Sequence, residues 1–219
     1  MPRKLALLHT SHVVIPAFAT LVKEHLDGIE VFHMSDESLI RNTIAAGELT
    51  ENTIRRVAAL VGIARDSGAD AVLVTCSSIG KATELAQRQF DFPVLRVDQA
   101  MAEKAIELGT RIGVAATLST TLNPTLELLR DTAAKAGKEV ELIPALAKGA
   151  FEAVSAGDTA EHDRLLIATL TDLLPKVDVV VLAQASMARV AALLPPGGPP
   201  VLSSPELAIR RARSEMEKL

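Results

Sequence analysis

The side chain with the widest chemical reach in this sequence is its single cysteine, Cys76, which lies near the end of the run Asp70 to Ser78, DAVLVTCSS. A thiolate there can remove a proton from carbon, return one, or add to an electrophilic double bond. The hydroxyl residues that follow, Ser77 and Ser78, can hold a carboxylate or an oxyanion. The plainer use of a lone cysteine is packing, but a packing thiol needs no threonine before it and two serines after it. A second group of candidates, His9, Thr10, Ser11 and His12, follows KLALL near the N-terminus. Its hydroxyls can bind a carboxylate, and its histidines can serve as acid, base or orienting groups, or as hydrogen-bonded structural side chains. Thr117, Ser119, Thr120 and Thr121 form a third, readable as a carboxylate site or as a helix cap. Asp36, Glu37 and Ser38 form a fourth, where an acid can orient a substrate group or a histidine, solvated loop charge being the commoner case. Asp98 and Gln99 follow the strand at Pro93 and are not diagnostic.

The elements that must position these groups are legible from periodicity. Four apolar residues in succession, Ala71 to Val74, predict a strand buried on both faces, and helical spacing begins after Ser78. Cys76 therefore falls at a strand-to-helix junction. In an open α/β sheet ligands bind at the carboxyl ends of strands, and N–H groups opening a helix favour an anion, so the thiol is expected to titrate below the ordinary value of about 8.5. Lys4 to Leu8 predicts a first strand, Pro16 the first turn of a helix to about Leu26, and Ile29 to Phe32 a second strand. Thr50 is a plausible N-cap for a helix ending at Ser67-Gly68, and Pro93 to Val97 reads as a fourth strand.

The same order then restarts. Strands are predicted at Arg111 to Ala115 and Val140 to Ile143, with helices from near Pro124 and over Glu161 to Leu174. Asp178 to Ser186, DVVVLAQAS, is the counterpart of the Cys76 segment, and an amphipathic helix, Pro205 to Leu219, closes the chain. Lys4 and Arg111 stand 107 residues apart, Pro16 and Pro124 108, Asp70 and Asp178 108, and Pro93 and Pro200 107. One offset shared by four landmarks points to an internal duplication. The expected architecture is α/β: two pseudo-symmetric lobes, each a parallel sheet flanked by helices, with the active-site cleft between them. Residues 1–98 plus 205–219 form the first lobe and 99–204 the second. Position 184, the duplicate of Cys76, holds Gln184, whose amide can orient a polar group but does not titrate.

Composition narrows the function classes. The chain has 219 residues, 48% of them hydrophobic, a net charge of −4 and 2% aromatics. Such a chain builds a sizeable core and offers no stacking platform or basic stripe for nucleic acid. Arg210, Arg211 and Arg213 read as a solvated face. No HxH or HExxH pattern supports a metal, and no GxGxxG or GxxxxGK[ST] supports a nucleotide. The N-terminal apolar run is too short for a signal peptide or a membrane span, so a cytoplasmic protein with a small-molecule ligand is expected.

VTCSS, TLSTT and LAQASMA, taken in order, resemble the aspartate/glutamate/hydantoin racemase superfamily, which includes maleate isomerases and arylmalonate decarboxylases. The resemblance spans nearly the whole chain. It implies a two-lobed fold, no cofactor, a small carboxylate or carbonyl substrate, and a homodimer or higher homo-oligomer. In such racemases one thiolate removes the α-proton and an opposite thiol returns one on the other face. Cys76 matches the first thiol; the second, typically within LGCxGMA, falls on Gln184. The substrate-binding set so implied is Thr10, Ser11, Ser77, Ser78, Thr117, Ser119, Thr120, Gln184, Ala185 and Ser186, with His9, His12 and Asp36 as acid/base or orienting groups. A one-thiol relative is expected to work as a base with another residue opposite, as a nucleophile toward a double bond, or as a proton donor after decarboxylation. A binder that has lost catalysis is the competing class.

Overall fold

The computed structural model describes residues 2–219. In chain order the regular elements are β1 (Lys4–His9), α1 (Ile15–His25), β2 (Glu30–Ser35), α2 (Glu37–Ala46), α3 (Glu51–Asp66), β3 (Ala71–Val74), α4 (Gly80–Gln87), β4 (Val94–Arg96), α5 (Gln99–Leu108), β5 (Arg111–Ala116), α6 (Ser119–Lys135), β6 (Glu141–Leu146), α7 (Ala150–Ser155), α8 (Thr159–Leu173), β7 (Val179–Leu182), β8 (Val201–Ser203) and α9 (Ser204–Lys218). Short 3-10 turns stand at His12–Val14, Ser77–Ile79 and Leu174–Lys176, and a longer one at Ala185–Leu193. The contacts divide the chain into two compact units, Met1–Ala100 with Pro205–Leu219, and Met101–Ser204.

Each unit carries one four-stranded, all-parallel sheet, in the orders β2-β1-β3-β4 and β6-β5-β7-β8. These are the same order, shifted by four strands. The central strands β3 and β7 are fully buried, as expected of AVLV and VVVL runs covered by helices on both faces. Burying a Val or Leu side chain contributes roughly 1.5–3 kcal/mol, so these short runs anchor their sheets. In the first unit Ala6, Leu8, Val72 and Val74 pack with Leu39, Val57, Val61 and Ile79, that is, against α2, α3 and the turn before α4. The opposite face is served by α1, whose Phe18 is fully buried.

The two aspartates that keep the repeat offset have one job in both units. The Asp70 carboxylate accepts from the Lys4 N–H at 2.7 Å, and the Asp178 carboxylate accepts from the N–H groups of Thr110 and Arg111 at 3.0 and 2.8 Å. Each caps the start of the neighbouring strand, whose first N–H groups have no ladder partner. The backbone N–H of each aspartate returns the bond, to the carbonyls of Lys4 and Arg111, at 2.8 Å.

Three expectations need correction. The second strand runs on to Ser35, so His33 lies within it. Residues 36–38 are not a loop but the start of α2, with Asp36 as its N-cap. The helix near Pro124 begins earlier, at Ser119, because Thr121 and Leu122 already donate to the Leu118 carbonyl. Pro124 removes only its own N–H bond toward Thr120 within that helix. The helices α2, α5 and α7 have no counterpart in the sequence reading; none is longer than ten residues.

Candidate functional site at the strand ends

In a sheet of order 2-1-3-4 the connections leave β1 and β3 in opposite directions, and this switch point opens a crevice at the carboxyl ends of the strands. In the first unit Thr10 follows β1 and Cys76 follows β3, so both stand at that point. The Cys76 sulfur is approached by the hydroxyls of Thr10 and Ser78 and by the backbone N–H groups of Ser78 and Ile79. The turn Ser77–Ile79 folds the chain back to bring these donors to it, with Cys76 in extended conformation (φ −131°, ψ 116°) as its N-cap. Burial pushes the thiol pKa up, and the four donors offset this only in part. The direction is opposite to the expected depression: the donors are present, but among the described residues no cation lies beside this partly buried sulfur, and desolvation outweighs them. Ser77 is 4% exposed, and its Oγ has no hydrogen-bond partner among the described residues.

The second unit repeats the geometry with other atoms. Gln184 is the N-cap of the 3-10 segment after β7, with φ −119° and ψ 138°, close to the Cys76 backbone. Its Oε1 accepts from the Thr117 N–H at 2.7 Å, and the Thr117 Oγ lies 2.7 Å from Nε2 and 2.9 Å from Oε1. Thr117 is the duplicate of Thr10, so in both units the side chain ending the central strand meets the threonine after the first. Ser119 and Thr120 open α6; Ser119 is exposed, and the half-buried Thr120 has an unpartnered Oγ. Ala185 and Ser186 are half-buried in the 3-10 segment.

The histidines are placed differently. His9 is fully buried, tilted against Phe18. Side chains alternate along a strand, so it occupies the face of the sheet opposite Leu8, whose cluster includes Cys76. Its Nδ1 lies 2.8 Å from the Thr75 Oγ and its Nε2 lies 2.9 Å from the His33 Nδ1. The Thr75 hydroxyl donates to the Leu8 carbonyl, so Nδ1–H of His9 donates to Thr75 and Nε2 accepts from Nδ1–H of His33. Neither nitrogen of His9 is left for a ligand. Burial and the neighbouring His33 lower the His9 pKa to about 4; burial also lowers that of His33. His33, exposed at the sheet edge, was not among the sequence candidates; a histidine inside an edge strand carries no spacing signal.

His12 is exposed and pairs with Glu37, and Ser11 caps the turn that follows by accepting from the Val13 N–H at 3.3 Å. Asp36 accepts from the Ser38 N–H and hydroxyl at 3.0 and 2.6 Å and pairs with Arg56 at 2.5 Å. These bonds give Asp36 a local structural task. Among the described residues no three His, Cys, Asp or Glu side chains are grouped to hold a metal ion.

The fold has well-populated company. The structure superposes on a glutamate racemase isoform from Bacillus anthracis with a TM-score of 0.75, at 15% identity over 99% of this chain and 82% of the other. An allantoin racemase from Klebsiella pneumoniae gives 0.73 at 15% identity over 99% and 88%. An aspartate racemase from Picrophilus torridus gives 0.72 at 13% identity over 98% and 94%. Identities this low establish the shared fold. No curated protein sequence matches the chain significantly. The profile described as Asp/Glu/Hydantoin racemase matches residues 3–212, nearly end to end. With two equivalent parallel sheets and a thiol at the switch point of one, the chain belongs to the Asp/Glu/hydantoin racemase family.

Proposed function

We propose that the chain is a cofactor-independent isomerase of the racemase type, acting on a small acid, amino acid or hydantoin at the carbon next to its carboxylate or carbonyl, with Cys76 as the proton-exchanging group. The observation that carries this reading is the convergence of four donors on one sulfur. A neutral thiol has little use for four donors, whereas a thiolate formed during a reaction needs them. Burial favours the protonated resting thiol, so turnover begins from its minor thiolate fraction. The thiolate takes the α-proton, forming S–H as the C–H bond breaks and its electron pair passes into the enolate. After the S–H proton exchanges with solvent it returns to the α-carbon, the enolate pair becoming the new C–H bond, and the thiolate is left again among the four donors. Ser77, with a buried and unpartnered hydroxyl, is suited to donate to a substrate oxygen. In the first unit Thr10, Ser11 and Ser78 complete the proposed binding set, and the equivalent residues proposed in the second are Thr117, Ser119, Thr120, Gln184, Ala185 and Ser186.

Gln184 favours a second reading, a binder of small carboxylates that performs no turnover. Its amide does not titrate and is engaged with Thr117 on both of its polar atoms. A single thiol still suffices to exchange an α-proton with solvent, so one assay separates the two. The protein is incubated in D2O with a panel of dicarboxylates, amino acids and hydantoins, and deuterium at the α-carbon is followed by NMR. Exchange that Cys76→Ala abolishes supports the isomerase; saturable binding with no exchange and no new product on any member of the panel establishes the binder.

A further inference from the structure

The turn that presents donors to Cys76 has a buried cation pressed against its far end. Arg96, the last residue of β4, is 8% exposed at its side chain. Its Nε and Nη2 donate to the two carboxylate oxygens of Asp98 at 2.7 and 2.9 Å, and its Nη1 donates to Glu84 on α4. Asp98 is fully buried. Burial works against the charge of Arg96, but the two carboxylates outweigh it and hold the proton more tightly than usual. A guanidinium fixed by three donated bonds is a rigid plate, and this one lies on the backbone of Gly80: a Cβ built there would stand 2.3 Å from Nη2 and 2.6 Å from Cζ. Gly80 has ordinary helical dihedrals (φ −56°, ψ −38°), so no backbone strain calls for a glycine at this position. What calls for it is the plate.

We propose that Arg96 is a positioning residue for Cys76, holding the turn Ser77–Gly80 in the register that aims the N–H groups of Ser78 and Ile79 at the sulfur. The path is short: Asp98 and Glu84 fix Arg96, Arg96 fixes Gly80, and Gly80 directly follows the Ile79 that donates. The second unit lacks the device. The duplicates of Arg96 and Asp98 are Ser203 and Pro205, so the unit that carries glutamine in place of the thiol also lacks the clamp. The proposal rests on Cys76 being the working group of the site, yet its test does not require turnover.

The chain has one cysteine and neither tyrosine nor tryptophan, so the thiolate absorbance in the ultraviolet reports Cys76 alone. Gly80→Ala is the decisive variant. It keeps every charge and places the better helix former in α4, but displaces the guanidinium. We expect the thiolate midpoint to move upward and iodoacetamide alkylation at neutral pH to slow by about threefold or more. Arg96→Met should do the same, and the double variant should add nothing further. Arg96→Lys, which keeps a cation without the planar fork, should recover only part of the shift. Val94→Ala, a truncation in β4 away from the guanidinium, controls for simple destabilisation and should leave the midpoint in place. A folded Gly80→Ala protein with the parent midpoint overturns the proposal, as does full additivity in the double variant. Should deuterium exchange fail on every ligand while the midpoint shifts as stated, the functional reading falls and the clamp stands.

Discussion

Two opposite pushes act on the Cys76 sulfur, and their balance decides its resting state. Burial raises its pKa, and hydrogen bonds from Thr10, Ser78 and Ile79 lower it. Thr10→Val, which keeps the shape and removes one donor, should therefore drive the thiolate midpoint further up; a midpoint that falls would show that Thr10 excludes water rather than donating. The location of the thiol, at the exit of an apolar run and before two serines, was legible in the sequence. Its protonation was not, because the reading counted the donors and could not weigh the desolvation around them. His33 and Arg96 were invisible for a related reason: each matters through a partner distant in sequence, His9 in one case and Glu84 and Gly80 in the other.

At the level of elements, the duplicated aspartates turn out to be strand-capping devices. Asp178 serves two strand-opening N–H groups and Asp70 one, so Asp178→Ala should lower the melting temperature more than Asp70→Ala, as thermal unfolding followed by circular dichroism would register. Equal effects would mean that the aspartates act through their charge and not through these bonds. Gly113 in β5 is a second device: a Cβ there would stand 2.8 Å from the Leu173 side chain of the following helix layer. Gly113→Ala should cost roughly 1–3 kcal/mol by overpacking, measured by urea denaturation. The strands β1, β3, β5 and β7 are legible because apolar runs of four or more residues leave few alternatives, whereas the edge strands β2 and β6 run on past Phe32 and Ile143 into residues that break the apolar run. Helix α6 starts before the position near Pro124 that the sequence suggests, since Pro124 sits further in, past Thr121 and Leu122, which already donate to the Leu118 carbonyl. The helices α2, α5 and α7 span three turns or fewer, which leaves little periodicity to read.

For the molecule as a whole, the shifted groups bracket a pH window of stability. His9 is held near 4 in the fold against 6.5 unfolded, so the unfolded chain binds the extra proton and stability falls as pH drops from about 6.5 toward 4, by up to about 3 kcal/mol. His33 acts in the same direction. Cys76 has the opposite sign: its folded pKa lies above its ordinary value, so the unfolded chain loses the proton first and stability declines as pH rises through the ordinary thiol range. Urea midpoints measured across this range should form a plateau with two shoulders. His9→Gln should flatten the acid shoulder, and Cys76→Ala the alkaline one. No helix among the described residues is long and apolar enough to cross a membrane.

The similar extended backbone at Cys76 and Gln184 leaves room for a second thiol at position 184. Thr117 already stands toward position 184 as Thr10 stands toward the sulfur, so Gln184→Cys asks nothing new of the main chain. The variant should fold, titrate two thiolates where the parent titrates one, and take up two equivalents of iodoacetamide. The present sequence is then one exchange away from a two-thiol form, and the pair of proteins would show directly what chemistry a single side chain adds or withholds.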